Sequence, residues 1–307
     1  MHILAEHPPE GWEAGLLASH VVGSPWAKWR AYRRARSTLI RMLNDPTQRP
    51  DVVHLHTAAD WSWWRKRRFA LLAHAAGCKI VVHIHSGQFD QWLKSQSKKF
   101  KQGVKSDILR SEIRVVVLTE DWVKLLEMDL GDLTAISNPL NPKYKTISRE
   151  NTQKHLLLLG RNDPVKGHSF AVDIALRLKN NFPDLVMTMT GIEDSQVDWI
   201  RARGWVTESE KMRLLSTASV LLLPSKFEGQ PMVVIESLAS GVPVVADSRL
   251  HSLPKEVSFA GPDLKSWCDV LTDALEHPQS VQFDSSEYDL ETIMNKWKTL
   301  YVSLIDS

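Results

Sequence analysis

Short apolar runs recur along the chain, separated by segments with a helical distribution of apolar residues. Each run has only four to six residues, which is typical of strands buried on both faces of a parallel sheet. Alternating strands and helices predict doubly wound α/β domains. The predicted strands are residues 52–56, 80–84, 115–118, 155–159, 185–190, 219–223 and 243–246, and the predicted helices include residues 62–77, 89–106 and 290–305.

The chain is long enough for two domains. Its 307 residues can form two separate cores. The segment Asn138–Pro142 contains two prolines and two asparagines, a composition that favours a turn or a linker. We therefore predict a hinge between about residues 139 and 153, with domains at residues 1–145 and 146–288 and a final amphipathic helix within 289–307.

Two glutamates follow the apolar run Val220–Leu223. Glu228 is expected on the loop at the carboxyl end of that strand, where ligands of open α/β sheets bind. Gly229 permits close approach of the backbone to a ligand, and Pro231 suits the first position of a helix. Glu236 on that helix leans back toward its N-terminus, so both carboxylates can reach one ligand. The alternative for any such pair is a loop acid and a solvated helix residue.

A second strand-to-helix turn carries two cations. The apolar run His155–Leu159 ends in Gly160-Arg161-Asn162-Asp163-Pro164-Val165-Lys166-Gly167. A helix N-terminus together with Arg161 and Lys166 would present positive charge to a diphosphate. The spacing and the missing Lys-Ser/Thr ending exclude a Walker loop. Taken alone, such side chains are more often ordinary surface cations.

The two segments together resemble the signature of the family-4 retaining glycosyltransferases of the GT-B fold. The likeness rests on Pro-Ser-x-Phe-Glu-Gly-x-Pro at residues 224–231, Glu-Ser-Leu-Ala-Ser-Gly-Val-Pro-Val-Val-Ala at residues 236–246, and Gly-Arg-x4-Lys-Gly at residues 160–167. The resemblance implies two Rossmann-like domains facing a central cleft, with the final helix returning to the N-terminal domain. It implies transfer of a sugar from a nucleotide-sugar donor to a saccharide or lipid-linked acceptor, in cell-surface polysaccharide or glycoconjugate synthesis.

The resemblance also implies roles for single residues. Arg161 and Lys166 neutralise the departing nucleoside diphosphate, Glu236 holds the ribose hydroxyls, and Glu228 lies beside the donor sugar. Gln230 replaces the usual Leu, so the sugar pocket is expected to differ. Two other functions stay open, a GT-B nucleotide-sugar epimerase and a catalytically weak donor-binding or scaffold protein. The implied donor-binding residues are Gly160, Arg161, Lys166, Trp205, Val206, Glu228, Gly229, Gln230, Pro231, Met232 and Glu236.

The segment Gly204-Trp205-Val206 precedes a predicted helix in the second half. The matching loop in relatives lines the nucleotide base, which is why Trp205 and Val206 are included among the donor-binding residues. Packing of Trp205 in the core is an equal alternative at this point.

The first half resembles a bacterial polysaccharide subgroup of the same family. The matching segments are residues 51–56, 61–76 and 83–87. By this resemblance His85 is a catalytic residue near the reacting carbon of the donor sugar. His83 and His85 face the same way on an extended strand, so a metal-binding pair has to be considered. Because GT-B enzymes resemble one another in needing no metal, we expect no metal or cofactor and assign His54 and His83 to packing.

Positive charge is concentrated in the first half. Residues 1–150 carry 23 Lys and Arg against 15 Asp and Glu, whereas residues 151–307 carry 15 against 21. The excess lies at residues 28–36, 65–68 and 94–105, and the first two clusters are interleaved with Trp and Tyr. This pattern suits an anionic membrane surface, with a merely solvated basic face as the open alternative. No motif for reading a nucleic-acid groove is present, so nucleic acid is not the expected partner.

Several features bear on the cellular location. No run approaches the ~18 apolar residues of a membrane span, and the polar start is unlike a signal peptide. Cys78 and Cys268 lie far apart, which indicates a reduced compartment without a disulfide framework or a thiolate metal site. We expect a cytoplasmic protein, with peripheral attachment to the inner face of the membrane if the basic–aromatic clusters bind lipid.

The start of the chain departs from the family pattern. Relatives begin with a strand and a glycine-rich loop that leans over the donor phosphates. Met1–Leu4 is the candidate for that strand, and Leu16–Ser24 resembles the second strand and its exit. The interval leaves almost no room for a helix, since a β-α-β crossover needs at least about ten to twelve residues. We therefore predict that this chain lacks most of the first βα unit, either by evolution or because the true start lies upstream, so that donor binding persists while transfer is weak.

Overall fold

The fold was taken from a computed structural model, which describes residues 2–150, 153–278 and 281–306. The chain divides into two compact units, each described here by itself. Unit 1 contains the described residues up to Pro139 and those from Leu290 onward, and unit 2 contains the described residues from Leu140 to Asp289. The first junction therefore lies within the predicted linker Asn138–Pro142. The predicted domain boundaries at residues 145 and 288 stay predictions.

Unit 1 is built on a parallel sheet with the strand order β1-β2-β3-β4. The strands are β1 (Val52–Thr57), β2 (Lys79–Ile84), β3 (Arg114–Val117) and β4 (Leu133–Ala135). The helices are α1 (His2–Glu6), α2 (Pro25–Asn44), α3 (Trp61–Ala75), α4 (Phe89–Ser95), α5 (Lys98–Arg110), α6 (Glu120–Leu130) and α11 (Leu290–Ile305).

The two faces of this sheet are covered by different helices. Alternate residues of β2 point to opposite faces, so Ile80 joins the core formed with α2 to α6, while Val81 joins a second core. That second core contains Ile293 and Trp297 of the last helix. The predicted amphipathic helix near the end of the chain is confirmed, and its apolar side covers one face of the sheet.

Unit 2 contains six parallel strands among its described residues, in the order β10-β9-β8-β5-β6-β7. The strands are β5 (His155–Leu158), β6 (Val186–Thr190), β7 (Ile200–Arg203), β8 (Val220–Leu223), β9 (Val244–Asp247) and β10 (Ser258–Ala260). The helices are α7 (His168–Lys179), α8 (Glu208–Thr217), α9 (Met232–Ala239) and α10 (Leu264–Glu276), with 3-10 turns at Pro142–Thr146, Pro164–Lys166 and Ser286–Tyr288.

The strand order of unit 2 fixes where a ligand can bind. The first strand of the unit, β5, pairs with β6 on one side and with β8 on the other. The direction in which the chain adds strands therefore reverses between β5 and β8. Open α/β sheets bind ligands outside the carboxyl ends of the strands at such a switch point. The loops after β5 and β8 are the two segments in which the sequence predicted a donor site.

Several local predictions were wrong. The predicted helix at residues 89–106 is two helices, because a break at Gln96 and Ser97 lets the Ser97 hydroxyl cap α5 by accepting a hydrogen bond from the Phe100 amide at 3.2 Å. Pro231 is the N-cap of α9 rather than its first helical residue. Met1 lies outside the described residues, and the rest of the predicted strand Met1–Leu4 belongs to α1.

The prediction about the first βα unit is confirmed for the described residues. Residues 2–24 contain the short helix α1 and no strand, and the segment Leu16–Ser24 that was compared with a second strand has no regular structure. Regular structure resumes with α2, which is capped by the Ser24 hydroxyl accepting from the Ala27 amide at 3.2 Å. The sheet of unit 1 therefore begins, among these residues, at β1.

Candidate functional site

The loops after β5 and β8 are joined directly to each other. The amide of Lys226 donates to the carbonyl of Val165 at 2.8 Å. Gly167 has a φ of +74°, and a Cβ added there would lie 2.6 Å from the carbonyl oxygen of Pro224. Only glycine permits this conformation and this close approach. The predicted diphosphate loop, residues 160–167, is thus held against the loop that carries Glu228.

The diphosphate loop is also fixed to the end of β6. Gly160 donates its amide to the Thr190 hydroxyl at 2.9 Å, and His168 Nε2 is hydrogen-bonded to the Thr190 carbonyl at 2.9 Å. Gly191 has a φ of +79°, and a Cβ added there would lie 2.3 Å from the Gly160 carbonyl oxygen, so only glycine permits this close approach. The backbone around Arg161 is therefore positioned by packing that exists without any ligand.

Lys166 and Glu228 meet at the switch point. Lys166 Nζ lies 2.6 Å from Glu228 Oε1, and the side chains are 22% and 10% exposed. Lys166 ends a 3-10 turn that is capped by Asp163, whose Oδ1 accepts from the Val165 amide at 3.1 Å. Arg161 lies on the same loop with an exposed side chain. The structure therefore brings the predicted phosphate loop and the predicted sugar-side acid into one cluster.

Glu236 has a cationic partner that the sequence did not reveal. Lys211 of α8 donates to both carboxylate oxygens of Glu236 at 2.9 Å. Lys211 also lies 3.1 Å from Glu208 and 5.1 Å from the centre of the Tyr144 ring. Burial raises the pKa of Glu236, and the charge and hydrogen bonds of Lys211 oppose that shift. Glu236 is therefore a buried acid that is already ion-paired with Lys211 in the absence of a ligand.

Local sequence gives no signal for Lys211. It lies in Glu-Ser-Glu-Lys-Met-Arg, a run that is typical of a solvated helix face. Its side chain is nonetheless only 19% exposed, because α8 places it over α9 and the turn that contains Tyr144. Only the packing of α8 against these segments identifies Lys211 as part of the site.

The remaining predicted donor-binding residues differ in their surroundings. Gly229 and Gln230 are buried beside the start of α9, and Met232 packs against the core of unit 2. Trp205 is 83% exposed, so the alternative that it packs in the core is wrong. Val206 packs against that core instead. The role of Trp205 in lining a nucleotide base stays a prediction.

His85 lies in unit 1, immediately after β2. Its amide donates to the Thr57 carbonyl at 2.9 Å, and its Nε2 is hydrogen-bonded to His56 Nδ1 at 2.8 Å. Burial lowers the pKa of His85 to about 4, so its imidazole is neutral at pH 7. His83, which the sequence analysis assigned to packing, is 1% exposed, and its ring lies 5.1 Å from that of Trp297.

The arrangement in unit 2 suits a ligand that combines phosphate with hydroxyl groups. Lys166 and Arg161 supply cations at the start of α7, where free amides add positive potential. Glu228 and Glu236 supply carboxylate acceptors for hydroxyl groups. Glu228 and Glu236 are thus each paired with a lysine before a ligand arrives.

Two family models match the chain. The description "Glycosyl transferase 4-like domain" matches residues 4–135, and "Glycosyl transferases group 1" matches residues 153–263. The second match contains both the diphosphate loop and the two glutamates. The chain belongs to the GT-B glycosyltransferases. The family resemblance inferred from the motifs, and with it the enzyme class, is confirmed.

Relatives of this glycosyltransferase act on different glycans. A glycogen synthase of Mycobacterium tuberculosis is 24% identical over 315 residues, which cover 90% of this chain and 74% of the relative. A putative teichuronic acid biosynthesis glycosyltransferase of Bacillus subtilis, TuaC, is 23% identical over 228 residues, covering 71% and 58%. Polysaccharide synthesis therefore recurs among its relatives.

Solved structures show the same fold. A crystal structure of TarM matches this glycosyltransferase with a TM-score of 0.65 and 17% identity, covering 89% of this chain and 58% of TarM. A mutant of Staphylococcus aureus TarM in complex with UDP and sugar ligands matches with a TM-score of 0.56 and 19% identity, covering 73% and 51%. The chain thus spans little more than half the length of TarM. Among the described residues, none of the helices combines the length and apolarity needed to cross a membrane.

Proposed function

We propose that this glycosyltransferase is a retaining enzyme that binds a nucleotide-sugar donor at the switch point of unit 2. The observation that supports this most strongly is the contact between Lys166 and Glu228, which joins the diphosphate loop to the predicted sugar-side acid at 2.6 Å. The diphosphate would bind beside Arg161 and Lys166, and the ribose beside Glu236. The UDP named in the TarM complex supports a nucleoside diphosphate as the leaving group.

The cations would act on the charge that develops during transfer. As the bond between the anomeric carbon and the diphosphate breaks, negative charge grows on the leaving phosphate. Arg161, Lys166 and the N-terminal amides of α7 are placed to stabilise that charge, which lowers the barrier more than it stabilises the bound donor. Because these groups supply the positive charge, we propose that transfer needs no metal ion.

Glu228 would have two tasks. Lys166 has three ammonium hydrogens, so it can keep its bond to Glu228 while donating to a phosphate oxygen. Glu228 thereby orients Lys166, and it also offers an acceptor to the donor sugar near the reacting carbon. An acid/base pair of the glycosidase type is not supported, because such enzymes place their two carboxyl groups on opposite sides of the glycosidic bond. Glu228 and Glu236 share one loop–helix element.

The acceptor is proposed to be a saccharide or a lipid-linked saccharide in the synthesis of a cell-surface polysaccharide. TuaC supports this class because its name places it in teichuronic acid biosynthesis. Since residues 2–24 contain no strand, the loop that seats the acceptor in relatives has no counterpart among these residues. We therefore keep the prediction that donor binding exceeds transfer activity in this chain.

A screen of nucleotide sugars followed by product analysis tests the proposed function. The protein is heated with each nucleotide sugar, and a donor at about a hundred times its Kd should add roughly 2.7 kcal/mol to the stability. The best donor is then incubated with candidate acceptors, and the anomeric configuration of the product is read by NMR. A product with the donor's configuration supports retention. An inverted product, or an isomerised free sugar, would contradict it.

We also propose that unit 1 binds an anionic membrane surface through α2. Trp26 and Trp29 are 63% and 44% exposed, and their rings stack with centroids 4.7 Å apart. Arg33 lies 4.9 Å above the Trp29 ring, and Arg30 is exposed on the same face. Basic residues next to exposed Trp suit the headgroup region of an anionic bilayer. Peripheral association would bring a lipid-linked acceptor to the enzyme.

The second predicted basic cluster, at residues 65–68, has fewer exposed cations than α2. Arg65 and Lys66 are partly buried and donate to the backbone and side chain of Ser19 at 3.2 and 3.0 Å. Arg67 pairs with Asp107 at 2.5 Å. These cations therefore have partners within unit 1. Of residues 65–68, Arg68 is the exposed cation.

Vesicle sedimentation tests the membrane proposal. Changing Arg30, Arg33 and Arg34 together to Gln should weaken binding to phosphatidylserine vesicles about a hundredfold, because each basic residue near an anionic surface contributes ~1 kcal/mol. A matched control removes three exposed cations of unit 2, as Arg201→Gln, Arg203→Gln and Lys255→Gln. Equal loss in both variants, or equal binding to neutral vesicles at high salt, would contradict a specific α2 surface.

A further inference from the structure

Four histidines lie together on one face of the sheet of unit 1. His54 and His56 are alternate residues of β1, and His83 and His85 are related in the same way at the end of β2. The parallel register pairs His56 with His83. The ring centroids of His54, His56 and His83 are separated by 4.4, 5.3 and 5.4 Å. Sequence placed these residues on separate strands, and strand pairing brings them into one cluster.

The central imidazole of this cluster has no hydrogen-bond partner. His83 is 1% exposed, and both of its ring nitrogens are buried without a partner among the described residues. His54 Nε2 is likewise buried and unpartnered. Leaving a buried polar atom without a partner costs about 1–3 kcal/mol, and such atoms call for a bound water or ion. The unpartnered nitrogens of His83 and His54 are therefore candidates for binding a water or an ion.

A second buried histidine of this chain shows what a purely structural role looks like. His155 in unit 2 is 3% exposed. Its Nε2 lies 2.9 Å from the Thr188 hydroxyl, and its Nδ1 lies 3.3 Å from the Thr217 hydroxyl. Both nitrogens of His155 are satisfied by the fold. The fold makes no such provision for His83, although that residue is buried more deeply.

The outer nitrogens of the other two rings are already anchored. His54 Nδ1 is hydrogen-bonded to the Tyr301 hydroxyl at 2.7 Å, and His56 Nδ1 to His85 Nε2 at 2.8 Å. In both rings this leaves Nε2 for a ligand. Metal-binding histidines typically use one nitrogen for the ion and the other for a hydrogen bond that fixes the ring. His54 and His56 have that arrangement.

The spacing of the three rings fits a tetrahedral ion. With metal–nitrogen bonds of about 2.1 Å, the ring centroids of three tetrahedral ligands lie about 5 Å apart, close to the observed separations. One donor atom from each of His54, His56 and His83 lies within 4.8 Å of the others. Tetrahedral donors would be about 3.4 Å apart, so closure needs ring movements of roughly 1 Å. The fourth position would remain open to water.

The chemistry of the ligands selects the type of ion. Three imidazoles without a carboxylate favour Zn²⁺, Cu²⁺ or Ni²⁺ over Mg²⁺ and Ca²⁺, which prefer oxygen ligands. A neutral imidazole keeps the lone pair that a metal needs.

We propose that His54, His56 and His83 form a binding site for a first-row transition-metal ion, with Zn²⁺ as the first candidate. The site lies in unit 1, whereas the proposed diphosphate-binding residues lie in unit 2. Through the hydrogen bond from His56, the bound ion would fix the orientation of His85. Metal binding by these three histidines does not depend on transferase activity.

Calorimetry with the chelator-treated full chain tests the site. Zn²⁺ should bind with a stoichiometry of one, and Co²⁺ should give the visible absorption bands of a tetrahedral ion. His83→Gln and His56→Gln should each weaken Zn²⁺ binding at least tenfold. His155→Gln, which removes a buried histidine from unit 2, should leave the binding unchanged. Circular dichroism checks that each variant is folded.

The two histidine variants differ in how strongly they are expected to disturb folding. If His83→Gln fails to fold, His56→Gln decides, because His56 is only partly buried. Absence of stoichiometric binding to the wild-type chain would overturn the proposal and leave an ordered water as the ligand of His83. Equal binding by wild type and His56→Gln would also overturn it, since the ion would then occupy surface histidines. We expect chelator treatment to leave the affinity for a nucleoside diphosphate unchanged. A failure of metal binding can then be distinguished from a failure of the proposed donor site.

Discussion

The carboxyl ends of the two parallel sheets carry opposite kinds of polar cluster. In unit 2, Lys166 pairs with Glu228 and Lys211 pairs with Glu236, at 2.6 and 2.9 Å. In unit 1, the cluster around His83 is made of histidines whose pKa values burial lowers, and neither nitrogen of His83 has a partner within the part of the chain that the structure describes. The cluster of unit 2 (the charged edge) consists of ion pairs, whereas the cluster of unit 1 consists of neutral imidazoles.

This difference indicates which ligand each edge can accept. A balanced set of ion pairs can exchange some of its internal hydrogen bonds for those of a ligand with phosphate and hydroxyl groups, without leaving a charge unpaired at any stage. A neutral cluster with unused lone pairs gains most from a ligand that accepts lone pairs. The same arrangement of parallel strands therefore suits the proposed diphosphate site in unit 2 and the proposed metal site in unit 1.

The largest expected effect comes from removing the cations of the charged edge. Arg161→Ala and Lys166→Ala should each weaken nucleoside diphosphate binding by ~1.5–3 kcal/mol, because each would lose charged hydrogen bonds. The double variant should lose roughly the sum. Titration calorimetry measures the loss, with Arg201→Ala and Arg203→Ala as the control pair. Unchanged affinity in the Arg161/Lys166 double variant would show that the charged edge is not the diphosphate site.

A smaller loss, in unfolding free energy, is expected when the ion pair between Lys211 and Glu236 is broken. Lys211→Met leaves the buried carboxylate of Glu236 without its cation, which should cost about 2–4 kcal/mol of unfolding free energy in urea titrations. The second change Glu236→Gln should recover part of this loss, because it removes the unpaired charge. Lys265→Met breaks an exposed pair with Asp269 and should change stability little. Similar losses at both lysines would argue against a special role for Lys211.

An intermediate effect is expected for His155, the buried histidine of unit 2, whose contribution to the unfolding free energy depends on pH. Burial lowers the pKa of His155 from 6.5 to about 4. Its stabilising contribution is therefore present above pH 6.5 and is lost as the pH falls toward 4, because the unfolded chain binds the proton first. Between pH 7 and pH 5 the wild type should lose about 2 kcal/mol more than His155→Gln. Urea titrations at the two pH values measure these losses. If wild type and His155→Gln lose the same unfolding free energy between pH 7 and pH 5, His155 is not held neutral.

The smallest effects separate the two acids of the charged edge. Glu236→Ala should raise the donor KM about tenfold with little change in kcat, since it removes contacts made before and during the reaction. Glu228→Ala should instead lower kcat by about tenfold, because its contact lies near the reacting carbon. Steady-state kinetics with the identified donor measures both. The reverse pattern would exchange the roles of the two residues.

Sequence alone predicted the central strands because each is buried on both faces and has a continuous apolar run. It missed β7, whose residues Ile200–Arg203 alternate apolar and charged at the edge of the sheet. It also missed β4 and β10, which have three residues each and also lie at sheet edges. Such strands are defined by pairing with a neighbour rather than by their own composition.

The candidate site was predictable where its residues lie in short motifs. The turn from Gly160 to Gly167 and the segment from Glu228 to Glu236 are local in sequence, and the fold places them at one switch point. Lys211 was not predictable, because its contact with Glu236 joins residues 25 positions apart. The histidine cluster required the pairing of β1 with β2, which the separate strands could not specify.

The most direct test of the central claim is a crystal structure of the full chain with a bound nucleoside diphosphate. We expect the phosphates to lie within ~3 Å of Lys166 Nζ and the Arg161 guanidinium, the usual distance of a charged hydrogen bond. We expect Glu236 to accept from the ribose hydroxyls while Lys211 remains in contact with that carboxylate. A nucleotide bound away from the loops after β5 and β8, with both lysine–glutamate pairs undisturbed, would contradict the account.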